Sequence, residues 1–444
     1  MTPSIDTLAH VDDPAPPSAT PFRVSVLGML AGLAALWLVR DSAAFSGAAR
    51  SAVACLAIIA TVGTYELFIA RVYLRPSPGL ASRALRSLSI ARVAMRLAAL
   101  ACVYAGIGAL YWLLPEYHGA FYTPFWSLIA TLAPCVTIAA PFYFAWMDTH
   151  QRETDDAYLV LARLLFRGKR PSNWRPLREM LAGWMVKAFF LPLMVVYLST
   201  TATQLDTSLG AALAAPFSLA TFRFMYDLTF AMDLMFGTVG YVCTLRILDS
   251  HVRSAEPTTL GWLVALVCYQ PFWSLISSQY IRYEGSMFWD SWLISMPLLR
   301  FIWGTAIVAL LLCYACATLS FGLRFSNLTN RGIVTSGPYR FTKHPAYIAK
   351  NLSYWMISVP FIEPLGWRAA LTHCAALAAV NLLYFLRAKT EERHLMNDPD
   401  YRAYAQWIAR NGLFAQLARA LRHDRNSRND KAQAAASSRL HWDE

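Results

Sequence analysis

Long, uninterrupted apolar runs leave this chain few folds to choose from. About ten of them approach the roughly 17–25 residues that the hydrocarbon core of a bilayer requires of an α-helix. They fall at about 22–40, 51–70, 97–114, 125–147, 181–200, 222–245, 259–279, 298–320, 347–362 and 366–387. The runs are continuous rather than alternating, which excludes a transmembrane β-barrel. Only 15% of the 444 residues are charged, against roughly 25% in soluble domains. The expectation is an all-α, polytopic integral membrane protein with about ten transmembrane helices.

The remaining charges sort by side. The connection at 71–96 holds Arg71, Arg75, Arg83, Arg86, Arg92 and Arg96 and no acid, and those at 148–180 and 322–346 are also rich in Lys and Arg. The connection between the third and fourth runs has Glu116 and His118 but no Lys or Arg. Counted through the runs, the positive-inside rule puts both termini in the cytoplasm. The net charge of +12 therefore reads as topology. With no recognition module beside it, nucleic acid is not an expected partner.

All eight cysteines lie in apolar runs and read as small buried hydrophobes, the Cys313–Cys316 pair included. The nine histidines form no close-spaced ligand set, so no metal site is expected. Residues 1–21 contain Asp6, Asp12 and Asp13, several prolines and no Lys or Arg, which fits a disordered lead rather than a signal peptide. The organisation expected is that lead, an N-terminal transmembrane region at 22–320, a second module at 321–412 and a disordered polar tail at 422–444.

Ionisable groups inside apolar runs mark either helix-to-helix pairing or a polar path. Glu66, Arg223, Asp227, Asp233, Asp290 and Arg300 are of this kind. Arg223 and Asp227 have the i,i+4 spacing of an ion pair, whereas Asp233 has no local partner.

Two polar clusters near the C-terminal end carry the chemistry. The first runs from Arg331 to Tyr347 and combines Gly332, Gly337, Pro338 and Pro345 with Arg340, Lys343 and His344. Glycine allows tight turns and close approach of a ligand, and proline stiffens the loop. Pro345 suits the first turn of a helix, which makes His344 its entry residue. A donor-rich turn there suits a carboxylate or phosphate. The second cluster is Arg387-Ala-Lys-Thr-Glu-Glu-Arg-His-Leu395. Paired acids at a membrane edge can hold a cation such as a sulfonium or an α-amino group. A hydrophobic hairpin separates the clusters, so both emerge on one side, the cytoplasmic one.

The order Gly337-Pro-Tyr-Arg-Phe-Thr-Lys-His-Pro-Ala-Tyr347, Glu391-Glu392-Arg-His-Leu395 and Asp400-Tyr-Arg-Ala-Tyr404 resembles the isoprenylcysteine carboxyl methyltransferase family, which is grouped with the phospholipid methyltransferases. The resemblance covers about residues 325–410. Lys343, Ala349 and Asn397-Asp-Pro399 depart from the common pattern. The resemblance implies an integral-membrane methyltransferase using S-adenosylmethionine. Its cofactor site would comprise Gly337, Tyr339, His344, Pro345, Tyr347, Glu391 and Glu392. Arg387 would hold an acceptor carboxylate, and Glu392 would be the nearest base for an amine acceptor. Membrane lipids and a lipid-borne or prenylcysteine-like acceptor are the implied partners. Two alternatives stand beside this one: a reductase resembling the NADPH-dependent sterol reductases, and a transporter or scaffold with a relic module.

Overall fold

In the computed structural model, which describes residues 14–42 and 45–422, the chain is almost wholly helical. Helices α1 (Phe22–Leu38), α2 (Gly47–Thr64), α3 (Ile90–Leu113), α4 (Thr123–His150), α5 (Ala157–Arg167), α6 (Arg175–Ala214) and α7 (Leu219–Val242) come first. Helices α8 (Thr259–Leu266), α9 (Phe272–Gln279), α10 (Trp289–Trp292), α11 (Pro297–Leu319), α12 (Pro345–Ser358), α13 (Trp367–Leu395) and α14 (Pro399–Asn411) follow. Among the described residues the only sheet is a short antiparallel ladder of β1 (Ser254–Ala255) and β2 (Thr329–Asn330).

Among the described residues, six helical segments are long and apolar enough to cross a membrane: Gly47–Ile69, Ile90–Leu113, Ala120–His150, Arg175–Ala214, Pro297–Leu319 and Trp367–Leu395. The other four runs of the expected ten fall short for separate reasons. Helix α1 has 17 residues, at the lower limit of a span. Helix α7 has the length but carries Arg223, Asp227 and Asp233. The run at 259–279 is divided into α8 and α9, each of eight residues, with Pro271 at the break. Helix α12 has 14 residues and stops at Val359, which takes a left-handed conformation. At 1.5 Å per residue it is about 21 Å long, short of the roughly 30 Å hydrocarbon core. Helix α6 runs on well past the apolar run at 181–200, as a single helix of 40 residues.

The main core lies where α1, α2, α6 and α7 meet, around Ile58, Phe190, Met235 and Val239. Gly28 and Gly32 let α1 lie against Ile58 and Val62 of α2, where a Cβ would collide. Small residues at such crossings are how helices approach in lipid, where tails compete for apolar contact.

Several buried charges are paired or hydrogen-bonded between helices. Arg96 reaches Asp148 at 2.7 Å and Asp156 at 2.6 Å, joining α3 to the end of α4 and the start of α5. Glu66, at the end of the second apolar run, pairs with Arg324, which also donates to Thr20 Oγ1 at 2.5 Å and to the Leu248 and Asp249 carbonyls. Asp233 accepts from Tyr314 Oη at 2.9 Å and Thr318 Oγ1 at 2.5 Å on α11. Arg223 and Asp227 form no ion pair with each other; both face a cavity.

Residues 14–21 depart from the disordered lead expected there. Ala19 N donates to Ile333 O at 2.8 Å, Thr335 Oγ1 to Pro16 O at 2.6 Å, and Thr335 N to Ser18 Oγ at 3.2 Å. This short strap braces the loop that leads into the first polar cluster. The rest of that lead, 1–13, and positions 423–444 of the expected tail lie outside the described residues.

Candidate functional site

The site is built from two neighbouring helices that present matching layers. Pro345 opens α12 and His344 is its N-cap residue, with its side chain unused in capping. That leaves the imidazole free to reach across. The chain turns at 359–366 and returns as α13, which brings Glu391 and Glu392 back to the entrance of α12.

In the outermost layer His344 Nε2 lies 3.0 Å from Glu392 Oε1. Lys343 Nζ is 3.1 Å from the same oxygen, and Lys389 Nζ is 3.0 Å from Oε2. Three donors crowd one carboxylate. That suits holding His344 in place and suits proton acceptance poorly.

One helical turn further in, Tyr347 donates to Glu391 Oε2 at 2.9 Å. The Tyr347 and His344 rings are stacked with centroids 5.5 Å apart. The Arg387 guanidinium lies over the faces of Tyr269 and Tyr347, 5.5 and 5.4 Å from their centroids, and donates to Asn327 Oδ1. Although four residues from Glu391, it forms no ion pair with it.

The remaining motif residues shape the loop. Gly337 has φ 62°, and a Cβ there would run into Ser320 and Phe22. Tyr404 donates to the Tyr339 carbonyl at 2.7 Å, clamping the loop onto α14. Arg331 is buried and donates to five main-chain carbonyls, among them Ser250 O and Gly240 O, both at 2.6 Å. It is a structural staple. Arg340 is exposed.

His344, Tyr347, Arg387 and Glu391 line one cavity, with Tyr339 and Tyr401 on its wall. Its enclosed volume is about 150 Å³. That is below the roughly 300 Å³ at which whole-ligand pockets begin, and matches the charged end of a ligand. Burial, and after it the negative charge of Glu391, pushes the Tyr339 and Tyr401 phenols above their usual range. Both therefore stay neutral donors at any physiological pH. The Tyr401 hydroxyl is buried without a hydrogen-bond partner, and a buried hydroxyl in that state calls for one.

A larger cavity, of about 840 Å³, lies between α6, α7 and α11. Arg223, Asp227 and Asp290 face it, but none of the motif residues does.

This arrangement falls mostly inside one recognisable stretch. Residues 296–397 match the isoprenylcysteine carboxyl methyltransferase (ICMT) family model. The match covers about a quarter of the chain, at its C-terminal end, and supports a methyltransferase-type module there. No curated protein and no solved structure matches the chain. The ICMT-like module begins earlier than the motifs alone indicate, taking in all of α11, and ends before Tyr401 and Tyr404. Neither the reductase nor the transporter reading gains support from the match.

Among the cavity-wall residues the sequence reading missed are Asn327, Lys350 and Tyr384, while Tyr401 entered it only as part of a motif. Lys350 and Tyr384 had a signal. They stand three residues after Tyr347 and three before Arg387, on the same helical faces. Asn327 had none, because it arrives from the turn before β2.

The residues present fit the amino-acid and sulfonium end of S-adenosylmethionine. Glu391 lines the cavity and keeps lone pairs open to positive charge, the stacked faces of His344 and Tyr347 lie beside it, and Tyr401 stands on the same wall.

Proposed function

We propose that the chain is an S-adenosylmethionine-dependent methyltransferase of the membrane, acting on the carboxylate of a lipid-borne, prenylcysteine-like acceptor. The observation that carries this reading is the crossed engagement of the two polar clusters, His344 with Glu392 and Tyr347 with Glu391, with Arg387 beside them. S-adenosylmethionine, when bound, supplies an electrophilic methyl group on a sulfonium.

The chain's own residues do the rest by placement. Glu391, oriented by Tyr347, offers negative charge to the ammonium or sulfonium. Glu392 fixes the imidazole of His344, and the stacked His344–Tyr347 pair gives a flat aromatic wall. Arg387 has its charge spread over two ring faces and can present N–H donors to a carboxylate in bidentate fashion. A carboxylate acceptor is already a nucleophile and needs no general base. This agrees with a Glu392 whose lone pairs are committed to Lys343, Lys389 and His344. Alignment and exclusion of water are then the main contributions to rate.

The same reading puts the termini and the site on the cytoplasmic side, since the connections flanking the module are basic. The test is transfer of labelled methyl groups from S-adenosylmethionine to lipid and protein extracts by membranes containing the protein. Labelling is expected with the wild type and a near-complete loss with Glu391→Ala and His344→Ala. Undiminished labelling by both variants sinks the assignment.

A further inference from the structure

Two cations in this cavity have neither an ion-pair partner nor a wrapping of main-chain carbonyls. Arg324 is neutralised by Glu66, Lys343 by Glu392, and Arg331 is wrapped in main-chain carbonyls. Arg387 and Lys350 remain, and neither forms an ion pair among the described residues. The Lys350 ammonium sits over three ring faces, 5.4 Å from Tyr314, 5.8 Å from Tyr354 and 5.4 Å from Tyr384. Asp233, on α7, is within electrostatic reach of Lys350 but gives its oxygens to the Tyr314 and Thr318 hydroxyls and forms no ion pair with it. The two cation cages touch, because the Tyr347 and Tyr384 rings are 5.8 Å apart. Ring faces stabilise a cation but cancel none of its charge. Beside a membrane such a residual charge marks a place for an anion.

We propose that Lys350 and Arg387 together form the seat for the anionic group of the methyl acceptor, with Lys350 as a specificity-determining residue. This rests on the methyltransferase reading above. Position separates the seat from the cofactor's charged end. The cofactor's positive groups belong beside Glu391, at the mouth. Lys350 lies three residues further along α12 than Tyr347, about 4.5 Å deeper. An amphipathic acceptor would put its anion here with its apolar part toward lipid. A carboxylate and a lipid phosphate share the required chemistry.

The test uses the purified protein in neutral detergent, as wild type, Lys350→Met and Lys350→Arg. The probes are S-farnesylcysteine, its carboxamide, and dioleoylphosphatidate beside uncharged dioleoylglycerol. For wild type, the carboxylate probe should bind about tenfold tighter than the carboxamide and raise the melting temperature more, as expected when a charged hydrogen bond is gained. Lys350→Met should lose that preference, Lys350→Arg should keep part of it, and all three should bind S-adenosylmethionine within twofold of one another. The same pattern with phosphatidate over dioleoylglycerol, in place of farnesylcysteine, supports the seat and makes its natural anion a lipid phosphate. Without ligand, Lys350→Met should melt at or above the wild-type temperature, because it removes an uncompensated charge.

A wild type that prefers neither anion over its neutral counterpart overturns the proposal, as does a preference undiminished in Lys350→Met. So does a tenfold loss of S-adenosylmethionine affinity in that variant, which would assign Lys350 to the cofactor, or a marked drop in its ligand-free melting temperature. An anion preference that Lys350→Met abolishes, in a protein that binds no S-adenosylmethionine, supports the seat and sinks only the methyltransferase reading.

Discussion

At the scale of single residues, the site is a set of charges each given a distinct partner. Glu391 is oriented by one phenol, while Glu392 is surrounded by His344, Lys343 and Lys389. The two acids should therefore respond differently to substitution. Glu391→Gln removes charge from the group still open to a ligand. It should weaken S-adenosylmethionine binding by roughly ten- to a hundredfold, in line with 1.5–3 kcal/mol for a charged hydrogen bond, as read by titration calorimetry. Tyr347→Phe keeps the ring and loses the hydroxyl. About fivefold in kcat/KM is expected, from roughly 1 kcal/mol for a neutral hydrogen bond.

A third residue reports on the fold. His251 is held well below the usual histidine range, first by burial and then by Arg246, Arg253, Arg331 and Arg324. Its Nδ1 is buried without a partner. Above about pH 6.5 the residue is neutral in both folded and unfolded chains and adds no pH dependence. Below that, the unfolded chain takes up a proton that the fold refuses, so stability falls by about 1.4 kcal/mol per pH unit. Melting curves of wild type and His251→Asn between pH 7 and 5 should diverge, with the wild type losing more. Parallel curves would show that the imidazole is protonated in the fold.

At the scale of elements, α12 and α13 work as a ruled pair. Residues three and four apart fall on one helical face, so His344, Tyr347 and Lys350 step inward along α12 while Glu391, Arg387 and Tyr384 step inward along α13. Each step meets its counterpart: His344 with the glutamate pair, Tyr347 with Glu391 and Arg387, Lys350 with Tyr384. The loop before α12 is held from outside this pair. Gly337 is left-handed and pressed against Ser320 and Phe22. Gly337→Ala should cost about 1–2 kcal/mol from conformation alone, with an added clash. A lower melting temperature together with weaker cofactor binding is expected, although Gly337 does not itself line the cavity. Retention of both at wild-type values would place the loop elsewhere.

At the scale of the whole molecule, the N-terminal bundle and the ICMT-like module are joined by buried polar contacts rather than by apolar packing alone. The Glu66–Arg324 pair is the central one, and the strap at 14–21 reinforces it. Arg324→Met leaves Glu66 buried and unpaired and should destabilise the protein by about 3–5 kcal/mol, measurable as a lowered melting temperature in detergent.

How much of this was legible in the chain varies by feature. The all-helical membrane class followed from run length and the scarcity of charge. The site clusters followed from residue types at fixed spacing, because His344, Pro345 and the paired acids keep their chemistry in any surroundings. The number of spans did not follow. Hydropathy records that a stretch is apolar, but a break at Pro271 or a stop at Val359 is set by backbone conformation, and the sequence does not say which apolar helix stays short. Nor could the chain show that Glu66, 258 residues from Arg324, is its partner, or that Thr20 completes the pair. Sequence by itself determined which groups could do the chemistry and which surfaces belong in lipid, since both depend on composition and local spacing. Tertiary structure alone decided which charges are neutralised and which are left over. That balance depends on distances between segments far apart in the chain, and it is what singles out Lys350 and Arg387.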